Sequence, residues 1–263
     1  MKERAQRGGG FTILEMLVAV AVFMVICAAM FELLDLSQRR FNSETQLSAA
    51  FQDARLAMDQ MVSDIDAAGY PPVTLFSPIP TTHPSRYAFS PFAWSPNYLP
   101  GMDCQIGTCV NPGDYDLIIE TRLSTDTYVS WIWYHLDTST NTLFRTVMRK
   151  TFGDPLAALQ GSDKSVAFLA NVMNNPGGSQ LAQITAEYPS MYPGNQPVPI
   201  FQYTCETPTG TMPCSLAGSY NSPRNVSDVD ITLIVKTPQP DMQTGRLRLV
   251  ELNGRGHRVN AVQ

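Results

Sequence analysis

Between residues 11 and 68 the sequence contains no proline and no glycine, although the chain of 263 residues carries 20 and 17 of them. Nothing in that stretch obliges a helix to stop, so one continuous helix of about 58 residues, roughly 87 Å long, is open to it. Histidine is scarce: His83, His135 and His257 stand far apart, leaving no His-Glu-x-x-His site and few ligands for a metal. A nucleophile elbow, a phosphate-binding loop and a dinucleotide fingerprint are all missing, so no active site and no cofactor are expected. Clusters of lysine and arginine are missing too. Lys2, Arg4 and Arg7 outweigh Glu3 by two charges at the start, so the formal −5 of the whole chain leaves −7 on the remainder. Nucleic acid is therefore not an expected partner, unless folding gathers a local basic patch.

What the sequence does have is a short basic leader set against an apolar run. Residues 11–31 hold a single ionisable carboxylate, Glu15. As a helix that run spans roughly 32 Å, close to the hydrocarbon thickness of a bilayer. An ordinary secretory signal would place its cut near Cys27-Ala28-Ala29, but it leaves Glu15 unexplained, and a membrane glutamate is costly without a partner. A lipoprotein signal needs a small residue where Ile26 stands. Gly8 to Gly10 are no phosphate cradle, since no strand precedes them and no Gly-Lys-Ser/Thr follows.

The junction Gly8-Gly9-Gly10-Phe11-Thr12-Ile13-Leu14-Glu15 resembles the class III signal of type IV prepilins. The resemblance implies cleavage by a prepilin peptidase between Gly10 and Phe11, N-methylation of Phe11, and a role for Glu15 in registering the helix against other pilins during assembly. It also implies a precursor held in the bacterial inner membrane by a single pass, with its C-terminal domain outside the cytoplasm.

Past the membrane run, Leu47, Phe51, Ala54, Met58, Met61 and Ile65 recur at helical spacing and form one apolar stripe. The stripe is too short for a coiled coil and is expected to bury against the chain's own sheet. Gly69, Tyr70, Pro71 and Pro72 supply the stop. Residues 71–112, rich in proline, serine and aromatics, read as a long loop held down by Phe76, Tyr87, Phe89, Phe92, Trp94 and Tyr98. Strands are predicted over 115–121, 128–136, 143–148, 166–172, 198–203, 226–236 and 246–252. In the second, Val129, Trp131, Trp133 and His135 alternate with Tyr128, Ser130, Ile132 and Tyr134. Residues 137–141 read as a hairpin loop. The expected fold is α+β, a long N-terminal helix packed on an antiparallel β-sheet. Its parts are a leader over 1–10, a transmembrane part over 11–34, an amphipathic part over 35–69 and a β-rich domain over 70–263.

Cys27 lies in the membrane run, whereas Cys104, Cys109, Cys205 and Cys214 lie beyond it. On the oxidising side of a bacterial membrane the four distal cysteines are expected in disulfides. Proximity favours Cys104 with Cys109 and Cys205 with Cys214, out of the three connectivities that four cysteines allow. Asp114 with Asp116, and Asp228 with Asp230, read as a solvated strand face in preference to calcium ligands or an acid and base pair. His135, flanked by tryptophans, reads as a satisfied core residue.

The layout, with Ala68-Gly69-Tyr70 closing the helix and the late run from Val226 to Leu233, is similar to that of PilW-type minor pilins, and more distantly to J-type minor pseudopilins of type II secretion. Major pilins often carry a kinking proline where this chain has Glu32, which favours a minor member. The resemblance implies a structural subunit that primes or caps a pilus used for motility, adhesion or DNA uptake. Its rivals are a pseudopilin of type II secretion and a membrane-anchored binding domain or enzyme.

Overall fold

The computed structural model describes residues 12–78, 84–93, 113–123, 126–151, 153–241 and 244–260. One helix, α1, runs unbroken over Ile13–Asp66. It ends where Gly69 takes φ +81°, a conformation that favours glycine, and donates its N–H to the Glu120 carbonyl at 2.8 Å. Only the second half of α1 packs on the domain: contacts begin at Ser43, whose hydroxyl donates to Asp241 at 2.6 Å, and run to the helix end.

The predicted α+β fold is present, with two antiparallel sheets. The first comprises β1 (Asp116–Thr121), β2 (Ser130–Asp137), β3 (Thr142–Arg149) and β4 (Ser165–Leu169), in sequence order. The second comprises β5 (Phe201–Thr207), β6 (Gly210–Pro213), β7 (Val226–Lys236) and β8 (Leu249–His257), in the order β6-β5-β7-β8. A bridge between Val172 and Val235, and the Asp114 carbonyl accepting from the Ile200 and Phe201 N–H groups, join the two. Two short helices, α2 (Pro155–Gln160) and α3 (Gly178–Glu187), lie in the connections.

The helix stripe differs from expectation at Phe51, which is 42% exposed. The buried face is Ala50, Ala54, Ala57, Met58, Met61, Asp64 and Ile65. A seven-residue apolar spacing drifts around a straight helix by about 20° per heptad, and the sheet selects the side lined by alanines. It can come close because β8 presents two glycines there. A Cβ on Gly256 would lie 2.6 Å from Ile65 Cγ2, and one on Gly254 would lie 2.4 Å from Met58 Sδ. The last predicted strand, 246–252, ends short of the observed Leu249–His257, and the two glycines it omits are the surface that meets the helix.

Gly256→Ala is expected to lower stability by about 1–2 kcal/mol, because overpacking against the stiff, β-branched Ile65 exceeds the small gain from a less flexible unfolded chain. Gly254→Ala should cost less, since the far end of Met58 can turn away. Thermal unfolding of the two variants side by side checks the order.

Both faces of β2 are buried. Tyr134 reaches α1 on one side, while Trp131 and Trp133 are covered on the other. The covering segment is 84–93, where Tyr87, Ala88, Phe92 and Ala93 are buried, as expected of a loop held down by aromatics. Trp94 and Tyr98 lie outside the described residues. A fully buried ion pair fixes this segment: Lys150 Nζ donates to Glu120 Oε2 at 2.8 Å. Glu120 also accepts from the Phe89 N–H at 3.0 Å and from Trp131 Nε1 at 2.8 Å. A buried, hydrogen-bonded ion pair of this kind specifies one arrangement more than it adds net stability.

Candidate assembly helix and the fate of the expected sites

The N-terminal half of α1 stands clear of the domain. Leu14, Leu17, Phe23, Val25, Phe31 and Leu34 are all exposed, and the apolar window contains no residue buried within the chain. This is the one helix among the described residues long and apolar enough to cross a membrane. An apolar surface of this length, unpartnered in its own fold, needs lipid or other helices around it.

Its start is a reciprocal cap. Thr12 is the N-cap, and the Glu15 N–H donates to Thr12 Oγ1 at 3.3 Å. In return Glu15 Oε2 accepts from the Thr12 N–H at 2.9 Å and from its hydroxyl at 3.0 Å. The carboxylate that looked isolated in an apolar run is thus satisfied inside its own chain, and it also sits at the positive end of the helix. The signal was present in the sequence as threonine followed three residues later by glutamate ahead of an apolar run.

Gly10 and Phe11, the residues expected to flank the cut, lie outside the described residues, as do Cys104 and Cys109. Cys205 and Cys214 form the expected disulfide, closing the β5–β6 hairpin. Cys27 on α1 is a free thiol. Non-reducing peptide mapping should return Cys205 joined to Cys214 and Cys104 joined to Cys109, with Cys27 unmodified. The Cys205 bridge closes a separation of nine residues, so its loss should cost at most about 3 kcal/mol.

Of the paired carboxylates, Asp114 is exposed as expected, whereas Asp116 and Asp228 are engaged by neighbouring side chains. Asp116 accepts from Trp133 Nε1 at 3.0 Å and pairs with His135 Nδ1 at 2.7 Å. His135 stacks on Trp133 but remains partly exposed at the sheet rim, so it is satisfied without being a core residue. The hydrogen bond to Asp116 outweighs the opposing effect of burial and lifts the imidazole above the ordinary histidine value of 6.5. Asp228 is buried and contacts Ser227 Oγ, Arg255 Nε and His257 Nδ1. Burial alone would raise its carboxyl, yet these hydrogen bonds together hold it below the usual carboxylate range. Asp230 lies 3.6 Å from the same arginine. Among the described residues no group of three or more His, Cys, Asp or Glu side chains is placed to hold a metal ion.

Residues 6–31 match the family model described as the prokaryotic N-terminal methylation motif. The N-terminal segment is thus similar to that of type IV prepilins. The match takes in residues 6–10 ahead of the helix, the cap formed by Thr12 and Glu15, and most of the exposed apolar helix. No curated protein and no solved structure matches the chain. For a prepilin-like protein the motif implies processing by a prepilin peptidase and assembly with other pilins through the helix.

Proposed function

We propose that this chain is a minor pilin of PilW type, a structural subunit that primes or caps a type IV pilus, and is not an enzyme. The observation that carries the reading is the methylation motif on a helix whose apolar half has no buried residue while its second half is bound into a large β domain. The precursor sits in the inner membrane with residues 70–263 outside the cytoplasm. A prepilin peptidase cuts it after Gly10. The assembly machinery then draws the helix out of lipid and into a bundle where neighbouring helices take the place of acyl chains. The uninterrupted helix past Glu32, without a proline kink, suits a member present in few copies.

A deletion strain tests the reading, complemented in trans and scored for surface fibres by electron microscopy. Loss of fibres is expected. Intact fibres together with loss of secreted enzymes would instead place the chain in a type II secretion pseudopilus.

A further inference from the structure

The face of the first sheet turned away from α1 carries an open cleft of about 320 Å³ at the end where the β2–β3 hairpin turns. That volume is at the lower end for a small-molecule site. In register Asp116 faces His135 and His135 faces Phe144, so these three side chains share one face of the sheet. Buried Trp133 stacks on His135 with ring centres 4.8 Å apart, and with half-buried Phe144 the two rings form the floor. The opposite wall is the end of α2 and the turn after it, with Leu159, Gln160 and Ser162.

The polar groups around the opening are held from behind. Asp137 accepts from the Ser139 N–H at 2.8 Å, from the Ser139 hydroxyl at 2.7 Å and from the Thr140 hydroxyl at 2.8 Å. These bonds hold its carboxyl down at about 2, so it stays an acceptor at physiological pH. His135 is fixed through Nδ1 to Asp116 at 2.7 Å, and its Nε2 has no partner among the described residues. Ser162 Oγ accepts from the Lys164 N–H at 3.2 Å and keeps its own proton to donate. Gln160 stands exposed at the rim.

The ligand class follows from what the cleft has and lacks. Among the described residues no lysine or arginine lines it, while Asp137 does, so an anion is disfavoured. The Asp137 charge is already spread over three hydrogen bonds and is opposed by any charge on His135, so no strong cation is called for. A neutral molecule with several hydroxyls and one apolar face matches both the rim and the floor. We infer that the cleft binds a neutral pyranose unit of a glycan, its C–H face on Phe144 and the His135 ring, its hydroxyls on Asp137, Gln160 and Ser162. Rim groups oriented in advance reduce the entropy lost on binding.

The inference does not depend on the assembly reading. It is tested on the full chain in phosphatidylcholine nanodiscs, which carry no sugar, by saturation-transfer NMR with cellotriose and with tri-N-acetylglucosamine. At least one is expected to bind, with a dissociation constant of about 1 mM or tighter. Gln160→Ala, on an exposed side chain, should weaken binding about fivefold, the worth of one hydrogen bond, with thermal unfolding unchanged. Phe144→Leu keeps an apolar side chain but removes the flat ring, and should weaken it at least about threefold. The hydrogen bond to Asp116 lifts His135 above 6.5, so the ring gains its proton as pH falls through that range, facing the carboxylates Asp116 and Asp137. An imidazole accepts from a hydroxyl when neutral and donates to it when protonated, so affinity for a neutral sugar should change less than about threefold between pH 5 and 8. Failure of both trisaccharides to bind, or indifference to Gln160→Ala, would overturn the proposal. Binding confined to glucuronic acid and rising as pH falls would also overturn it, assigning the cleft to an anion. None of these outcomes bears on fibre loss in the deletion strain.

Discussion

Glu15→Leu is expected to leave membrane insertion intact and to abolish or sharply reduce recovery of the chain with partner pilins at equal membrane abundance. Leucine is favourable in a membrane helix by roughly 0.5 kcal/mol, so the anchor is not weakened. What changes is the first turn. The carboxylate of Glu15 accepts two hydrogen bonds from Thr12, which satisfies it within a single subunit. In the bundle we propose, the same carboxylate would pair with the α-ammonium group that cleavage before Phe11 leaves on a neighbour, and each desolvated charge would then fix the position of the other. Such pairing sets register more than it adds stability. Glu15→Gln separates the two roles of the side chain. Glutamine keeps the reciprocal cap with Thr12 but carries no charge. Assembly lost in both variants assigns the effect to the charge, whereas assembly kept in Glu15→Gln and lost in Glu15→Leu assigns it to the cap.

The second large effect is expected at Asp64, where the helix is tied to the first sheet. Asp64 Oδ2 accepts from the Tyr134 hydroxyl at 2.6 Å and from Arg145 Nη2 at 2.9 Å, and Oδ1 accepts from Gln60 at 2.9 Å. Burial, followed by the charge of Asp64, pushes the Tyr134 hydroxyl far above its ordinary value, so it remains a donor at any physiological pH. Asp64→Ala leaves a buried hydroxyl and a partly buried guanidinium without their acceptor. The expected loss is about 3 kcal/mol, toward the lower end for a broken buried pair because Arg145 retains some solvent. Tyr134→Phe removes one neutral donor and should cost only about 1 kcal/mol. Chemical denaturation of both variants checks the ratio. Equal small losses would mean that the helix is held by its alanine and methionine face alone.

Much of this was legible in the sequence, for reasons that differ by element. The helix was readable because proline and glycine are missing until Gly69, and β2 because its side chains alternate. The path of β8 was not, since Gly254 and Gly256 carry no apolar signal and matter only through what packs on them. The Glu120–Lys150 pair is equally silent: each charge looks like a surface residue until the fold brings the two together 30 positions apart. Of the candidate site, Glu15 was legible as a lone carboxylate in an apolar run, whereas the capping role of Thr12 lies in its hydrogen bonds with Glu15.

The most direct test of the account is the mass of the N-terminal peptide from the membrane form of the protein. It is expected to begin at Phe11 with one methyl group on its α-amino nitrogen, the outcome that the proposed reading of the motif over residues 6–31 predicts. A chain beginning at Met1, or at Met30 after an ordinary signal cut, would contradict it.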